Sequence, residues 1–155
     1  MDIEKFMLRA IELSKKSIES GGGPFGAVIV KDNEIIGEGM NSVVCSKDPT
    51  AHAEVVAIRN ACQSIVSHDL AGSVIFTSCE PCPMCLSAIW WSRIEKIYFG
   101  NTRMDATKIG FDDEMIYEEL ARPLAKRKLP IAQLLHDEAM MAFDDWKKYE
   151  GKCHY

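Results

Sequence analysis

Three of the chain's six cysteines fall within the seven residues from Cys79 to Cys85, in the stretch SCEPCPMC (Ser78 to Cys85). Cys82 and Cys85 stand in Cys-x-x-Cys spacing, each preceded by an environment rich in proline. Such a pair serves as a disulfide, a redox dithiol or half of a metal site, and alone it does not choose. At a helix N-terminus its thiols ionise readily, because unpaired backbone N–H groups and the helix dipole favour thiolate. Upstream, TAHAEVVAI places His52 and Glu54 near the start of another helix. One imidazole and two thiolates make three ligands for a tetrahedral Zn²⁺ and leave a fourth position to water or hydroxide, the mark of a catalytic site. Sulfur ligands favour zinc over harder metals. Zinc lowers the pKa of its water from 15.7 to about 7 in favourable cases. Glu54 then stands beside the metal as a general acid/base rather than as a ligand.

Positioning these groups requires a particular order of elements. Residues 3–18 carry apolar side chains near a 3.6 period, with Asp2 as a plausible cap, and predict an amphipathic helix. GGGPFG breaks it; AVIV and EIIGEG follow across Lys31-Asp32-Asn33 as a β-hairpin. KDPT marks a turn, with Thr50 as the expected N-cap of a helix over Ala51 to Cys62. SVIFTSC is a strand that runs into a helix opened by proline in PCPMCLSAIWWS. KIYFG is a further strand, DEMIYEEL a short helix, PIAQLL an expected last strand and DEAMMAFDDWKKYEG the last helix. Helices alternating with strands predict one α/β domain over residues 1–155, a three-layer α/β/α arrangement around a mixed sheet of five strands. A right-handed crossover through SVIFTSC brings the two helix starts to one sheet edge, and with them His52, Cys82 and Cys85.

The composition limits the function classes. At 155 residues, with 47% apolar and 26% charged residues, the chain suits a single domain with a substantial core. No apolar run approaches the roughly 20 residues of a membrane span. Met1-Asp2-Ile3-Glu4-Lys5 lacks the layout of a secretory signal, so a cytoplasmic location is expected. There structural disulfides are disfavoured. A net charge of −5 makes a small-molecule substrate a better expectation than nucleic acid, whose binders neutralise phosphates with basic surface. The basic run RPLAKRK, Arg122 to Lys128, reads as a solvated helix end.

His52-Ala53-Glu54 with Pro81-Cys82-Pro83-Met84-Cys85 matches H-x-E…P-C-x-x-C, the known signature of zinc nucleobase deaminases. With GGPFGAVIVKD, DPTAHAEV, TSCEPCPMCL and GFDDEMIYEE around it, the sequence resembles the cytidine deaminase superfamily and, within it, the short bacterial guanine deaminases. The resemblance spans nearly the whole chain. It implies a cytidine deaminase-like fold, one Zn²⁺ per chain on His52, Cys82 and Cys85, and hydrolytic deamination of a free nucleobase, guanine to xanthine and ammonia. It assigns catalysis to Glu54 and to Asp113, the latter near the departing amine. It assigns substrate contacts to Phe25, which would stack on the base, Asn41, Ala53, Trp91, Asp113 and Tyr155. It further implies a homodimer in which a C-terminal segment, about residues 136–155, swaps between subunits and brings Tyr155 as a lid.

Other readings stay open on the residues themselves. Phe25 also suits a core aromatic after a Gly-rich turn, Asn41 a loop residue satisfying local backbone, and Asp112-Asp113 the cap of the helix that follows. The same motif serves deaminases of cytosine, guanosine, ammeline or tRNA adenosine. A structural zinc or redox module is the non-enzymatic alternative. Such a module closes its metal with a fourth Cys or His, whereas His68, His136 and His154 show no such spacing. Cys79 falls outside the motif.

Overall fold

The computed structural model describes residues 2–154. The chain divides between Asp113 and Glu114 into two compact units. The first contains α1 (Ile3–Glu19), β1 (Gly26–Lys31), β2 (Glu34–Met40), α2 (Val43–Ser46), α3 (Ala53–Ile65), β3 (Ser73–Cys79), α4 (Pro83–Trp91), β4 (Lys96–Asn101) and α5 (Arg103–Lys108). Its sheet runs β2-β1-β3-β4, with β1 antiparallel to both neighbours and β3 parallel to β4.

Each face of the sheet carries its own core. On one, Phe6, Ala10 and Leu13 of α1 meet Val28, Val30 and Phe76. The stripe expected from the period, Ile3, Phe6, Met7, Ala10, Ile11, Ser14 and Ile18, is met only in part: Ile3 and Ile18 are exposed, while Leu13 and Ser17 are buried. On the other face Ala53, Ala57 and Ala61 of α3 and Ile89 of α4 pack with Ala27, Ile29 and Ile75. The three-layer expectation therefore holds. Alanine at every fourth position gives α3 a flat side, and β2 answers it with Gly37 and Gly39. A Cβ at Gly37 would lie 2.7 Å from that of Ala61, and one at Gly39 would collide with the Ala53 carbonyl. These two glycines let the first turn of α3 sit directly on the sheet, which fixes the height of His52 and Glu54.

The hairpin turns through Asp32 and Asn33, both at positive φ, as a two-residue loop in a right-twisted sheet requires. α3 starts later than expected, at Ala53 rather than Ala51. Thr50 is not its cap. Its hydroxyl and N–H both go to the Asp48 carboxylate, at 2.6 and 2.8 Å, and Ala51 N–H donates to the Asp48 carbonyl. This local turn uses the backbone groups a helix would have taken and passes the cap position to His52.

The sheet has four strands, not five. Residues 130–135, the expected last strand, pair with no strand among the described residues. Pro130 has no N–H for a ladder, Leu135 takes a left-handed φ of 53°, and their unit contains no other strand. That second unit comprises α6 (Glu114–Ala121), a 3₁₀ turn (Leu124–Lys126) and α7 (His136–Lys148). Within it the Glu119 carboxylate accepts from the N–H groups of Lys128 and Leu129, at 2.8 and 3.3 Å. None of its three helical elements buries a residue, and Leu124, Leu129, Leu134, Leu135 and Phe143 are exposed.

Candidate active site

His52 and Cys82 occupy equivalent places: each is the N-cap residue of a helix, with extended backbone, and neither side chain caps its helix. Both turn toward one point instead. Cys85, in the first turn of α4, completes the group. His52 Nδ1 lies 3.6 Å from Cys82 Sγ and 3.5 Å from Cys85 Sγ. A tetrahedral zinc, with Zn–S of about 2.3 Å and Zn–N of about 2.0–2.1 Å, requires N···S separations of about 3.5–3.6 Å. The three donors fit the ion. They are the residues able to hold a metal in this way among the described residues.

The electrostatics agree with that use. The Cys82 thiol is pushed down to about 4, first by the hydrogen bond from Cys85 and then by His52. Cys85 is raised, because it is the partner that gives its proton toward Cys82 and because it is buried. The hydrogen bond with Cys82 raises the His52 imidazole. The directions at Cys82 and His52 favour sulfur in the thiolate form beside the imidazole, the form in which cysteine binds a metal. Cys79 differs: burial pushes its thiol up to about 11, and Sγ contacts the Thr102 carbonyl at 3.7 Å. It is a neutral buried thiol outside the ligand group.

Glu54, in the first turn of α3, is 6% exposed. Burial raises its carboxyl above the ordinary range, as suits a group that takes and returns protons near neutrality. Thr77 Oγ1 lies 3.4 Å from its Oε1. Asp113 is also raised, by partial burial and then by the charge of Cys82, which puts it in electrostatic reach of the ligand group.

Phe25 and Asn41 are joined by a backbone bond, Asn41 N–H to the Phe25 carbonyl at 3.1 Å. Phe25 is partly buried and meets Phe111 edge to face, ring centroids 4.9 Å apart. The Asn41 side-chain oxygen accepts long hydrogen bonds, 3.4 Å each, from the N–H groups of Gly23 and Val43. Only an oxygen can accept from them, so the amide orientation is set. Ala53 is fully buried and opens α3, where helix geometry leaves N–H groups without intrahelical partners. Trp91 is placed differently from these: it ends α4, 67% exposed, about 13 Å along the helix from Cys82. Tyr155 lies outside the described residues. Sequence reasoning missed Thr77, Phe111 and Glu80, whose carboxylate accepts from Arg103 N–H at 3.0 Å and ties α5 to the cysteine loop.

Residues 1–101, which include all three ligands and Glu54, match the profile of the cytidine and deoxycytidylate deaminase zinc-binding region. The chain belongs to this zinc-binding deaminase family. Among its relatives, guanine deaminase from Bacillus subtilis (strain 168) is 46% identical over 156 residues, covering 100% of both chains. The crystal structure of a guanine deaminase from Bacillus subtilis superposes with a TM-score of 0.97 over 100% of this chain and 99% of that one. A tRNA-specific adenosine deaminase from Haemophilus influenzae is 43% identical over 116 residues, 71% of this deaminase and 67% of its relative. The structure of a guanine deaminase from Nitrosomonas europaea matches at 29% identity and a TM-score of 0.68, covering 95% of this deaminase and 85% of the other chain. Among the described residues no helix of the deaminase is long and apolar enough to cross a membrane.

Proposed function

We propose that this deaminase converts guanine and water to xanthine and ammonia. The observation that carries the choice of base is coverage: likeness to guanine deaminase runs through 100% of the chain, likeness to the tRNA-specific enzyme through 71%. His52, Cys82 and Cys85 hold the zinc, which when bound supplies the Lewis acidity that makes water a nucleophile at neutral pH. Glu54 takes the proton of the water that attacks C2, delivers it to the adjacent ring nitrogen, and helps the C2 amine leave as ammonia. Asp113 relays protons to that amine, since one carboxylate serving every transfer would be stretched. Phe25 stacks on the base, the Asn41 NH₂ donates to an acceptor on its edge, and an N–H at Ala53 adds a further donor; Trp91, exposed at the far end of α4, takes no part in this reading. The net charge of −5 supports a free base in the cytoplasm over a polynucleotide.

Ammonia release from guanine, guanosine, adenine, cytosine, cytidine, ammeline and a tRNA anticodon stem-loop is the deciding measurement. Guanine is expected to give the highest kcat/KM. Asp113→Asn is expected to lower guanine turnover by about 10²-fold or more, within the usual range for acid–base groups. A better rate on cytosine or on the stem-loop removes the guanine reading and leaves the deaminase standing.

We further propose that the chain acts as one functional domain and as a homodimer, in which residues 136–155 swap and Tyr155 closes the partner's pocket. The exposed apolar side chains of the second unit support a further surface to cover them, and a second copy supplies one. Light scattering is expected to give twice the chain mass. Deletion of Cys153 to Tyr155 is expected to keep zinc and melting temperature but cut kcat about tenfold or more, as loss of a closing segment does. Mixing that truncation with Glu54→Gln then restores part of the activity by subunit exchange. A monomer, or full activity in the truncation, overturns the swap.

A further inference from the structure

β3 sends alternate side chains to opposite faces, so Thr77 shares the side of Ile75, which packs under the alanines of α3. The strand thus places a hydroxyl where its pattern calls for an apolar group. Thr77 is 1% exposed, and its Oγ1 lies 2.9 Å from the Cys79 carbonyl and 3.4 Å from Glu54 Oε1. A buried hydroxyl costs free energy unless it has partners, and both of its partners belong to the catalytic corner. Its β-branched side chain has few rotamers, and its single hydroxyl proton faces two acceptors, the Cys79 carbonyl at 2.9 Å and the Glu54 carboxylate at 3.4 Å, and is shared between them.

We propose that Thr77 is a positioning residue for Glu54, its buried hydroxyl holding the carboxylate in the plane from which it meets the attacking water. The inference rests on the deaminase reading of the site. The Glu54 carboxyl also meets its own backbone N–H and, as a second side-chain partner among the described residues, the sulfur of Cys85. That sulfur is committed to the metal group, which leaves the Thr77 hydroxyl, its proton shared with the Cys79 carbonyl, as the side-chain donor to the carboxylate among the described residues. The 3.4 Å separation is long for a hydrogen bond, and catalytic hydrogen bonds of this kind shorten when substrate binds. The hydrogen-bond partners of the Thr77 hydroxyl, Glu54 and the Cys79 carbonyl, are not metal ligands, so it acts through Glu54.

Thr77→Val keeps the shape and removes the hydroxyl; Thr77→Ala does the same with less bulk and serves if valine prevents folding; Thr77→Ser keeps the hydroxyl. Steady-state kinetics, on whichever base the unaltered protein deaminates fastest, read the effect. Valine or alanine is expected to lower kcat about 10–100-fold, the range for one hydrogen bond to a charged group, with KM within about threefold and zinc content unchanged. Serine is expected to recover most of the rate. In a Glu54→Gln background the same substitution adds little further loss, because two residues acting as one unit are not additive. Carboxyl ¹³C NMR, with the Glu54 resonance identified by its disappearance in Glu54→Gln, is expected to show that resonance shifted in Thr77→Val. The NMR result does not depend on the substrate, so an error in the choice of guanine leaves this test intact. Turnover within about twofold of the unaltered protein in both hydroxyl-free variants overturns the proposal. So does a loss of zinc that accounts for the loss of rate, or a serine variant as slow as valine.

Discussion

Replacing Glu54 with Gln is expected to leave a folded protein with full zinc and a turnover lower by about 10²–10⁴-fold or more. The amide has nearly the volume of the carboxylate, so the 6%-exposed pocket and the packing of α3 persist. What disappears is the capacity to take a proton from water and return it to the ring and the amine. No neighbouring group replaces it directly: Thr77 offers a hydroxyl, and Cys85 is needed by the metal. The size of the loss reflects a group charged with the transfers from water to the ring, which precede the part of Asp113 at the amine. Zinc analysis, melting temperature and kcat measured on one preparation decide the matter. A variant with near-normal kcat would falsify the assignment of Glu54 as general acid/base.

The second large effect is expected at Cys82. Cys82→Ala removes a donor that its surroundings favour as thiolate, since the hydrogen bond from Cys85 and then His52 lower its thiol. Two ligands then remain, His52 and Cys85, and two are too few for a closed tetrahedral set. Less than about a tenth of a zinc per chain is expected after dialysis without chelator, with activity lost in proportion. The fold also feels the change, because His52 and Cys82 stand at the N-caps of α3 and α4 without capping them. The melting temperature of the unaltered protein should therefore fall on chelation, and that of Cys82→Ala should already be low and insensitive to chelator. Cys45→Ala serves as the control: Cys45 is exposed, gives its proton to the Ser20 carbonyl and lies outside the ligand group, so zinc and activity stay. Full zinc in Cys82→Ala, or zinc loss in the control, contradicts the ligand assignment.

The residues themselves announced the ligand trio, because metal chemistry narrows the choice of side chain and both halves of the motif sit at helix starts. His52, Cys82 and Cys85 stand together as their spacing implied. The hairpin through Asp32-Asn33, the helix–strand–helix order around β3 and the two-faced core were equally legible, since each follows from short-range periodicity and turn chemistry. Other features depended on distant parts of the chain. That Pro130 to Leu135 would not join the sheet could not be read locally, because a strand exists only where an edge receives it. The start of α3 moved by two residues because the Asp48 side chain captured Thr50, the expected cap. The Asn41 amide is oriented by N–H groups of Gly23 and Val43, one of them from across a loop. Gly37 and Gly39 mattered only once Ala53, Ala57 and Ala61 lay against them. Thr77 shows the difference most clearly. In SVIFTSC it is one polar residue in an apolar strand; the tertiary structure sets its hydroxyl beside Glu54, 23 positions away, where a buried polar group must find its partner in space rather than in sequence.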